Sequence, residues 1–162
     1  MIYKEFHPDK LLTDFVKNYW WFENSTTQQL DFTILPDGCF DLIISFDNYQ
    51  QEEISLTGIW TKQVEVSIEP NRQLFGVRFK LLATDYILQQ NISAFCDREQ
   101  IKENDFWQLD KTTFTDLESV TEKLDKKMLS ILGSQKGIDH RKQSLFNLLY
   151  QTNGEQTVEQ YS

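Results

Sequence analysis

Histidine is scarce in this chain of 162 residues: only His7 and His140 are present, and neither lies on a predicted strand. Divalent metals in enzymes are commonly held by imidazole nitrogens, so we expect no catalytic metal site and no cofactor. The sequence also lacks a Ser-His-Asp or Cys-His pair with a route to one cleft, and it lacks a glycine-rich phosphate loop. These absences predict a protein that is not an enzyme.

Basic residues are also few, since 16 Lys and Arg stand against 25 Asp and Glu, which gives a net charge of −9. Contacts with phosphate groups need clustered Lys and Arg, and an anionic membrane surface attracts the same residues. We therefore expect that this chain by itself binds neither nucleic acid nor a membrane surface.

Cysteines and long apolar runs are similarly limited. Cys39 and Cys96 form neither a disulfide framework nor a CxxC pair, which is typical of a reduced compartment. Nothing nearby in the sequence supplies the cationic surroundings that activate a thiol, so both are expected to be buried and structural. No apolar run reaches the length of a membrane span, and the first ten residues contain no apolar stretch of signal-peptide length. The expected location is the cytoplasm.

Aromatic residues, in contrast, are abundant, with 12 Phe and 4 Trp. Such a supply suits either a bulky core or an aromatic-lined pocket, and composition does not separate the two. Trp21 and Trp60 are the candidate pocket walls, and plain core packing is the alternative for each.

The segment from Asp31 to Phe46 is predicted to form two strands joined by a tight turn. Pro36 sets φ for this turn, and Asp37-Gly38 supplies a side-chain cap and a permissive φ. After the turn, apolar and less apolar residues alternate with period two, as in a strand with one face more deeply buried. Short strands separated by turn signals are typical of an antiparallel sandwich or small barrel. Further strands are predicted at 19–22, 54–60, 64–68 and 75–79.

Two opposite charges, Asp41 and Arg78, each lie on the less apolar face of a predicted strand. They are expected to meet across the sheet, where an ion pair would determine the strand register. The functional alternative is that Arg78 recognises an anionic or polar ligand with two parallel hydrogen bonds. Asp41 and Arg78 therefore join Trp21 and Trp60 as the candidate ligand-binding residues.

After Lys80, helical spacing replaces strand alternation, which predicts an α+β fold with C-terminal helices. Thr115 and Glu118 form a capping-box pattern that opens a helix over 116–132. This helix either packs on its own domain or forms a dimer contact through one apolar stripe, which consists of Leu117, Val120, Leu124, Met128 and Ile131. A second helix is predicted to place Ile138, Leu145, Leu148 and Leu149 inside.

The final residues contain another capping-box pattern, with Thr157 at the cap and Gln160 three positions later. Only two residues follow, fewer than a stable helix requires. This pattern suggests that the polypeptide was cut inside a larger protein. A frayed polar tail is the alternative.

Several of these motifs occur together in one order: Tyr19-Trp20, then Leu35-Pro36-Asp37-Gly38 with Asp41-Leu42-Ile43, then Gly76-Val77-Arg78-Phe79. With them, the chain resembles the N-terminal cupin-like domain of transcriptional regulators in the AraC/XylS family of bacteria. The resemblance extends from about Tyr3 to the end of the chain.

The resemblance implies a cupin-like sensory β-barrel or sandwich over 1–110, a linker and dimerisation helix over 111–135, and the start of a helix-turn-helix DNA-binding domain over 136–162. On this basis the chain would sense a small-molecule effector and form a homodimer through the apolar stripe. It would contact DNA only through a domain absent from this chain. The alternative is a stand-alone cupin-like enzyme or a protein that binds a small molecule such as a sugar.

Overall fold

The computed structural model describes residues 1–109, 114, 116–157 and 159. In these residues, antiparallel strands form a main sheet of six strands and a small sheet of two. The strands are β1 (Ile2–Phe6), β2 (Val16–Glu23), β3 (Leu30–Ile34), β4 (Phe40–Asp47), β5 (Gln50–Thr57), β6 (Val64–Ile68), β7 (Arg72–Phe79) and β8 (Glu99–Lys102). The main sheet has the order β1-β2-β7-β4-β5-β8, and the small sheet pairs β3 with β6. The predicted α+β class is confirmed, with a sandwich-like arrangement of the sheets.

The main sheet has two different faces because side chains alternate along each strand. One face carries large apolar side chains that form the core, including Tyr19, Phe40, Ile44, Phe75 and Val77. The opposite face carries a mixture of polar and aromatic side chains. Period-two alternation in the sequence therefore identified the core face of β4 and β7 correctly.

The predicted hairpin over residues 31–46 is wrong in its pairing. β3 pairs with β6, whereas β4 lies between β5 and β7 in the main sheet. The Pro36-Asp37-Gly38 turn carries the chain from one sheet to the other, with Gly38 at a φ of 71°. Asp37 accepts a hydrogen bond from the backbone N–H of Cys39 at 3.0 Å, as an Asx turn requires. Alternation shows which face of a strand is buried, but it does not identify the neighbouring strand.

The helices with bounds in the described part of the chain are α1 (Ala83–Tyr86), α2 (Leu117–Gly133) and α3 (His140–Gln151). Asp116 caps α2 by accepting hydrogen bonds from the backbone N–H groups of Glu118 and Ser119. Asp139 caps α3 in the same way. The predicted caps at Thr115 and Thr157 involve residues 115, 158 and 160, which lie outside the described residues. None of the helices in the described part of the chain has the length and hydropathy needed to cross a bilayer.

Three of the sequence predictions for individual elements need correction. The predicted strand over 54–60 ends at Thr57, and β8 forms in a segment for which only helical spacing was expected. β8 is four residues long and polar, so it offers too little alternation to be detected. α3 contains no fully buried residue, and Leu145, predicted to face inward, is exposed.

The apolar stripe of α2 packs against its own sheet. Val120, Leu124 and Met128 are each at most 1% exposed, and they belong to the same core as the main-sheet side chains. Leu117 and Ile131 at the two ends are half-buried. The dimer interpretation of this stripe is therefore not supported, because its central side chains are already covered by their own domain.

A polar contact orients α2 on the sheet. The Tyr19 hydroxyl on β2 donates a hydrogen bond to Asp125 Oδ1 at 2.6 Å. The other oxygen of Asp125 accepts from the backbone N–H of Asp9 at 3.1 Å, just before the short 3-10 turn Lys10–Leu12. Burial raises the pKa of the Asp125 carboxyl, although the bonds from Tyr19 and Asp9 oppose that change. One carboxylate thus joins the N-terminal segment, β2 and α2.

Leu124→Ala is predicted to destabilise the fold by about 2–5 kcal/mol, because it removes a buried side chain and leaves a cavity between α2 and the sheet. The matched control is Leu145→Ala on α3, where the same side chain is 39% exposed. The control is expected to change the free energy of unfolding by about 0.5 kcal/mol or less. Urea denaturation followed by circular dichroism measures both. Equal effects at the two positions would contradict the packing of α2.

Candidate ligand-binding cleft

An open cleft of about 900 Å³ separates the polar face of the main sheet from the small sheet. Its floor includes Trp20, Asp41, Ile43 and Arg78 from the three central strands β2, β4 and β7. Its roof consists of the inward-facing apolar residues of β3 and β6, which are Phe32, Ile34, Val66 and Ile68. The volume falls in the range of sites for small molecules, which usually combine apolar walls with a few polar groups.

The roof is attached to the main sheet at one end. Asn24, which follows β2 and is fully buried, donates hydrogen bonds from Nδ2 to the carbonyl oxygens of Gln28, Ile68 and Glu69 at 2.9–3.1 Å. Beside it, the rings of Phe22 and Phe32 meet edge to face, with their centroids 5.5 Å apart. These contacts hold the small sheet above the floor and keep the cleft open along its other sides.

The centre of the floor is formed by an indole ring that lies on a glycine. Trp20 on β2 and Ile43 on β4 are the cross-strand neighbours of Gly76 on β7. A Cβ atom at position 76 would lie only 1.9 Å from the Trp20 ring, so the ring occupies the space that any larger residue would need. In this position Trp20 Nε1 donates a hydrogen bond to Asp41 Oδ1 at 2.8 Å. The absent side chain at Gly76 therefore determines where the tryptophan and the carboxylate meet.

The expected ion pair between Asp41 and Arg78 is present. The two residues face each other across β4 and β7, and Arg78 Nη1 lies 3.4 Å from Asp41 Oδ2. The second guanidinium nitrogen, Nη2, pairs with Asp37 in the turn before β4. Burial would lower the pKa of the Arg78 guanidinium, but the carboxylates of Asp41 and Asp37 raise it above its ordinary value. Two carboxylates around one guanidinium leave this group of three with a net negative charge.

Comparison with known protein families identifies the family to which this chain belongs. A family profile described as a domain of unknown function, DUF6597, matches residues 4–100. The chain belongs to the DUF6597 family. The matched span runs from β1 to β8 and contains both sheets and the floor of the cleft, whereas α2 and α3 lie after it. No curated protein and no solved structure matches the chain.

The cleft of the DUF6597 domain contains three of the four predicted site residues. Asp41, Arg78 and Trp60 line it, but Trp21 does not. Trp21 is 8% exposed and packs on the core face, with its ring 5.8 Å from that of Phe46. Neighbouring residues on a strand point to opposite faces, so Trp20 takes the position in the cleft that was predicted for Trp21. The sequence Tyr19-Trp20-Trp21-Phe22 is apolar on both faces, and the pattern did not indicate which face was which.

The two cysteines of the DUF6597 domain differ in exposure. Cys39 is buried, and burial raises the pKa of its thiol, with the carboxylate of Asp37 adding to the effect. Cys96 is exposed, so the prediction of a buried thiol is wrong at that position. Within the described residues, no group of three or more His, Cys, Asp and Glu side chains is arranged to hold a metal ion.

The floor of the cleft is connected to α3, which lies after the DUF6597 match. The Tyr150 hydroxyl donates a hydrogen bond to the carbonyl oxygen of Gly38 at 2.8 Å and accepts one from the backbone N–H of Leu81 at 2.8 Å. Gly38 is adjacent to Asp37, the second carboxylate paired with Arg78. A short chain of contacts therefore leads from the cleft to the last helix.

Most of the other contacts of α3 with the DUF6597 domain are polar. Gln143 and Asn147 donate side-chain hydrogen bonds to the carboxylate of Asp14 at 2.6 and 3.1 Å. Lys142 forms an ion pair with Asp85 in α1. Phe146 packs against the core but is only half-buried, and polar contacts exchange readily with water, so α3 is attached less firmly than α2.

Gly76→Ala is predicted to displace the Trp20 indole and to destabilise the domain by about 1–3 kcal/mol, the usual cost of overfilling a packed site. The loss of the bond from Trp20 to Asp41 should shift one indole N–H signal in the NMR spectrum. The matched control is Gly133→Ala, where a new Cβ would meet no atom within 4 Å. Because alanine favours helix, the control should be neutral or slightly stabilising. An unchanged Trp20 signal in Gly76→Ala would contradict the close approach.

Arg78→Met is predicted to destabilise the domain by about 2 kcal/mol, because it leaves Asp41 without its counter-charge in a half-buried site and leaves Asp37 with only Lys17, at 4.0 Å. Adding Asp41→Asn to this variant should recover part of the lost stability, since one uncompensated carboxylate is removed. The control is Arg72→Met on the same strand, which breaks a more exposed pair with Glu52 and should cost about 1 kcal/mol or less. Thermal unfolding of Arg78→Met, Asp41→Asn, the double variant and Arg72→Met tests the pairing, and strictly additive losses in the double variant would refute it.

Proposed function

We propose that this chain is the effector-sensing part of an AraC-type transcriptional regulator. A small molecule binds in the cleft of the DUF6597 domain, and the chain catalyses no reaction. The observation that carries the proposal is the continuous set of contacts from the cleft floor through Arg78, Asp37 and Gly38 to Tyr150 on α3. Such a connection suits a sensor, because a ligand on the floor can alter the position of a helix outside the cleft.

Some of the residues on which the family resemblance depends support this proposal. Trp20, Asp37, Asp41, Gly76 and Arg78 come from three separate segments of the chain, yet they meet at one place on the floor. Several apolar residues of the same motifs lie instead on the core face of the sheet. The concentration of the polar ones beside an open cleft favours a role in binding. Neither histidine lines the cleft, which gives no support to the alternative of a cupin-like enzyme.

The mechanism is a shift between two populations of the same chain. A ligand that contacts Asp41 changes how the Arg78 guanidinium is shared between Asp41 and Asp37. Because Asp37 belongs to the turn that contains Gly38, a change in this pairing moves the carbonyl group that Tyr150 contacts. The polar contacts that attach α3 then either break or re-form with α3 in a different position. In the whole regulator, α3 would begin the DNA-binding domain, and DNA would be contacted through that domain in the cytoplasm.

The oligomeric state of this regulator is also a matter of proposal. A homodimer is expected for an AraC-type protein, but the α2 stripe is occupied by contacts with its own sheet. The proposal therefore assigns no dimer contact to Val120, Leu124 or Met128.

The proposal is tested by a thermal-shift screen with a library of organic metabolites on the wild type, Ile43→Trp and Leu11→Trp. Ile43 lies on the cleft floor, so a tryptophan there should fill the site, whereas Leu11 in the 3-10 turn is exposed outside the cleft. A ligand at 100 times its Kd should stabilise the wild type and Leu11→Trp by about 2.7 kcal/mol. It should not stabilise Ile43→Trp. Ligands that stabilise all three proteins equally would place binding elsewhere.

The link to α3 is tested with the same ligand by amide hydrogen exchange. Ligand binding should change the protection of residues 140–151 in the wild type. Tyr150→Phe removes the hydroxyl that joins Gly38 and Leu81, so it should abolish this response and leave binding intact. Ligand binding with no change in α3 would show that the domain binds a molecule without signalling through this helix.

A further inference from the structure

The charges that line the cleft are strongly unequal. Five carboxylates line it, from Asp41, Glu52, Glu53, Glu69 and Glu99, and the lining cations are two arginines and the terminal ammonium of Met1. Each of these cations already has a partner. Arg72 pairs with Glu52, Arg78 pairs with Asp41 and Asp37, and the Met1 ammonium donates to Ser25. Among the described residues, Glu53, Glu69 and Glu99 form no ion pair, so the cleft keeps a surplus of negative charge.

This surplus argues against an anionic ligand. The functional alternative for Arg78 was recognition of an anion, but Nη1 and Nη2 of its guanidinium each already contact a carboxylate. An anion that bound the remaining N–H groups would lie close to these carboxylates. Like charges at such short distances repel each other, and the partial burial of the floor strengthens that repulsion. The cleft therefore suits a cation better than an anion.

The aromatic walls favour the same class of ligand. Tyr3, Trp20, Phe22, Phe32 and Trp60 all line the cleft. Aromatic faces are negative at their centres and attract cations, most strongly in tryptophan. The cation–π pairs found among the described residues use the rings of Tyr150, Phe106 and Phe146, none of which lines the cleft. Within the described residues, therefore, no ring of the cleft is part of a cation–π pair.

The hydroxyl of Ser55 on the floor has no partner within the described part of the chain. Ser55 on β5 is 4% exposed and lines the cleft. A largely buried polar side chain that lacks a protein partner and reaches a cleft is available to bind a ligand there. Ser55 is the cross-strand neighbour of Ile43, which places it diagonally to Asp41 on the adjacent strand. A hydroxyl and a carboxylate at this spacing can both accept hydrogen bonds from one ammonium group.

We propose that the cleft binds a protonated organic amine with an aromatic or aliphatic body. The ammonium group lies over Ser55 and Asp41 and donates hydrogen bonds to both, and the body packs against Trp20 and Trp60. Glu53, Glu69 and Glu99 at the exposed margins attract the cation without direct contact. This inference rests on the proposed function, because it names the class of ligand for the same cleft.

Three probes with the same ring and similar chains but different charges test the inference. Phenethylamine is cationic at pH 7, 2-phenylethanol is neutral, and 3-phenylpropionate is anionic. Isothermal titration calorimetry on the full chain should give the order amine, alcohol, anion, with the amine bound at least about tenfold more tightly than the anion. Raising the salt concentration should weaken binding of the amine and leave binding of the alcohol unchanged.

Variants identify the groups responsible. Ser55→Ala should weaken amine binding about fivefold, the usual effect of one lost hydrogen bond, whereas Ser130→Ala on the exposed side of α2 should have no effect. Glu53→Gln with Glu99→Gln should weaken amine binding about threefold to tenfold and should not affect the alcohol. The matched control is Glu103→Gln with Glu122→Gln, two exposed carboxylates outside the cleft. The Glu53 and Glu99 pair keeps the test decisive if Ser55→Ala fails to fold.

The outcomes separate this inference from the proposed function. If 3-phenylpropionate binds as tightly as phenethylamine and Ile43→Trp blocks both, the amine assignment is overturned and the cleft remains a ligand site. If none of the three probes binds up to the solubility limit of the alcohol, the amine assignment is also overturned. The metabolite screen with Ile43→Trp then decides the proposed function independently.

Discussion

The close approach of the Trp20 ring to the backbone at Gly76 is the contact on which the cleft floor depends. Only a residue without a Cβ allows the indole to lie across β7 and to reach Asp41 on β4. That hydrogen bond in turn places Asp41 beside Arg78. Because three neighbouring strands contribute to the arrangement, it also holds β2, β7 and β4 in register on the side of the sheet that has no compact core.

The two faces of the main sheet, the core face and the cleft face, carry similar aromatic side chains in different surroundings. On the core face, aromatic and aliphatic residues pack with α2 and are almost completely removed from water. On the cleft face, aromatic residues are interspersed with charged groups and are covered only by the small sheet. Burial of apolar area on the core face provides the main stabilisation. The cleft face can therefore retain features that do not favour stability, such as a half-buried ion pair and a hydroxyl without a partner in the described residues.

The two long helices are attached to the sheet by different kinds of contact, one mainly apolar and the other mainly polar. α2 is fixed by a buried apolar stripe and by the bond from Tyr19 to Asp125. α3 has no fully buried residue. Apart from the half-buried Phe146, its described contacts with the domain are mainly the polar ones of Tyr150, Lys142, Gln143 and Asn147. An apolar contact resists separation because the exposed surface must be hydrated, whereas polar groups exchange one partner for water at low cost. The difference makes α3 the more movable element.

Local pattern in the sequence determined several features by itself. The core faces of β4 and β7, the turn at Pro36-Asp37-Gly38, the α+β class and the apolar stripe of α2 all follow from spacing and turn chemistry. The opposition of Asp41 and Arg78 was also predictable, because each is a charged residue on the less apolar face of its strand and the two charges are opposite. These features depend on residues that are close in the chain or on one simple periodicity.

The tertiary structure alone decided which strands pair, which tryptophan enters the cleft and what covers α2. β3 joins β6 across a gap of 29 residues, and no local pattern specifies such a partner. Trp20 and Trp21 are equivalent in the sequence, and only the placement of Gly76 on the neighbouring strand gives one of them room. The connection from Gly38 to Tyr150 spans 112 positions. Long-range contacts of this kind arise from the packing of whole elements, and hydrophobic periodicity contains no information about them.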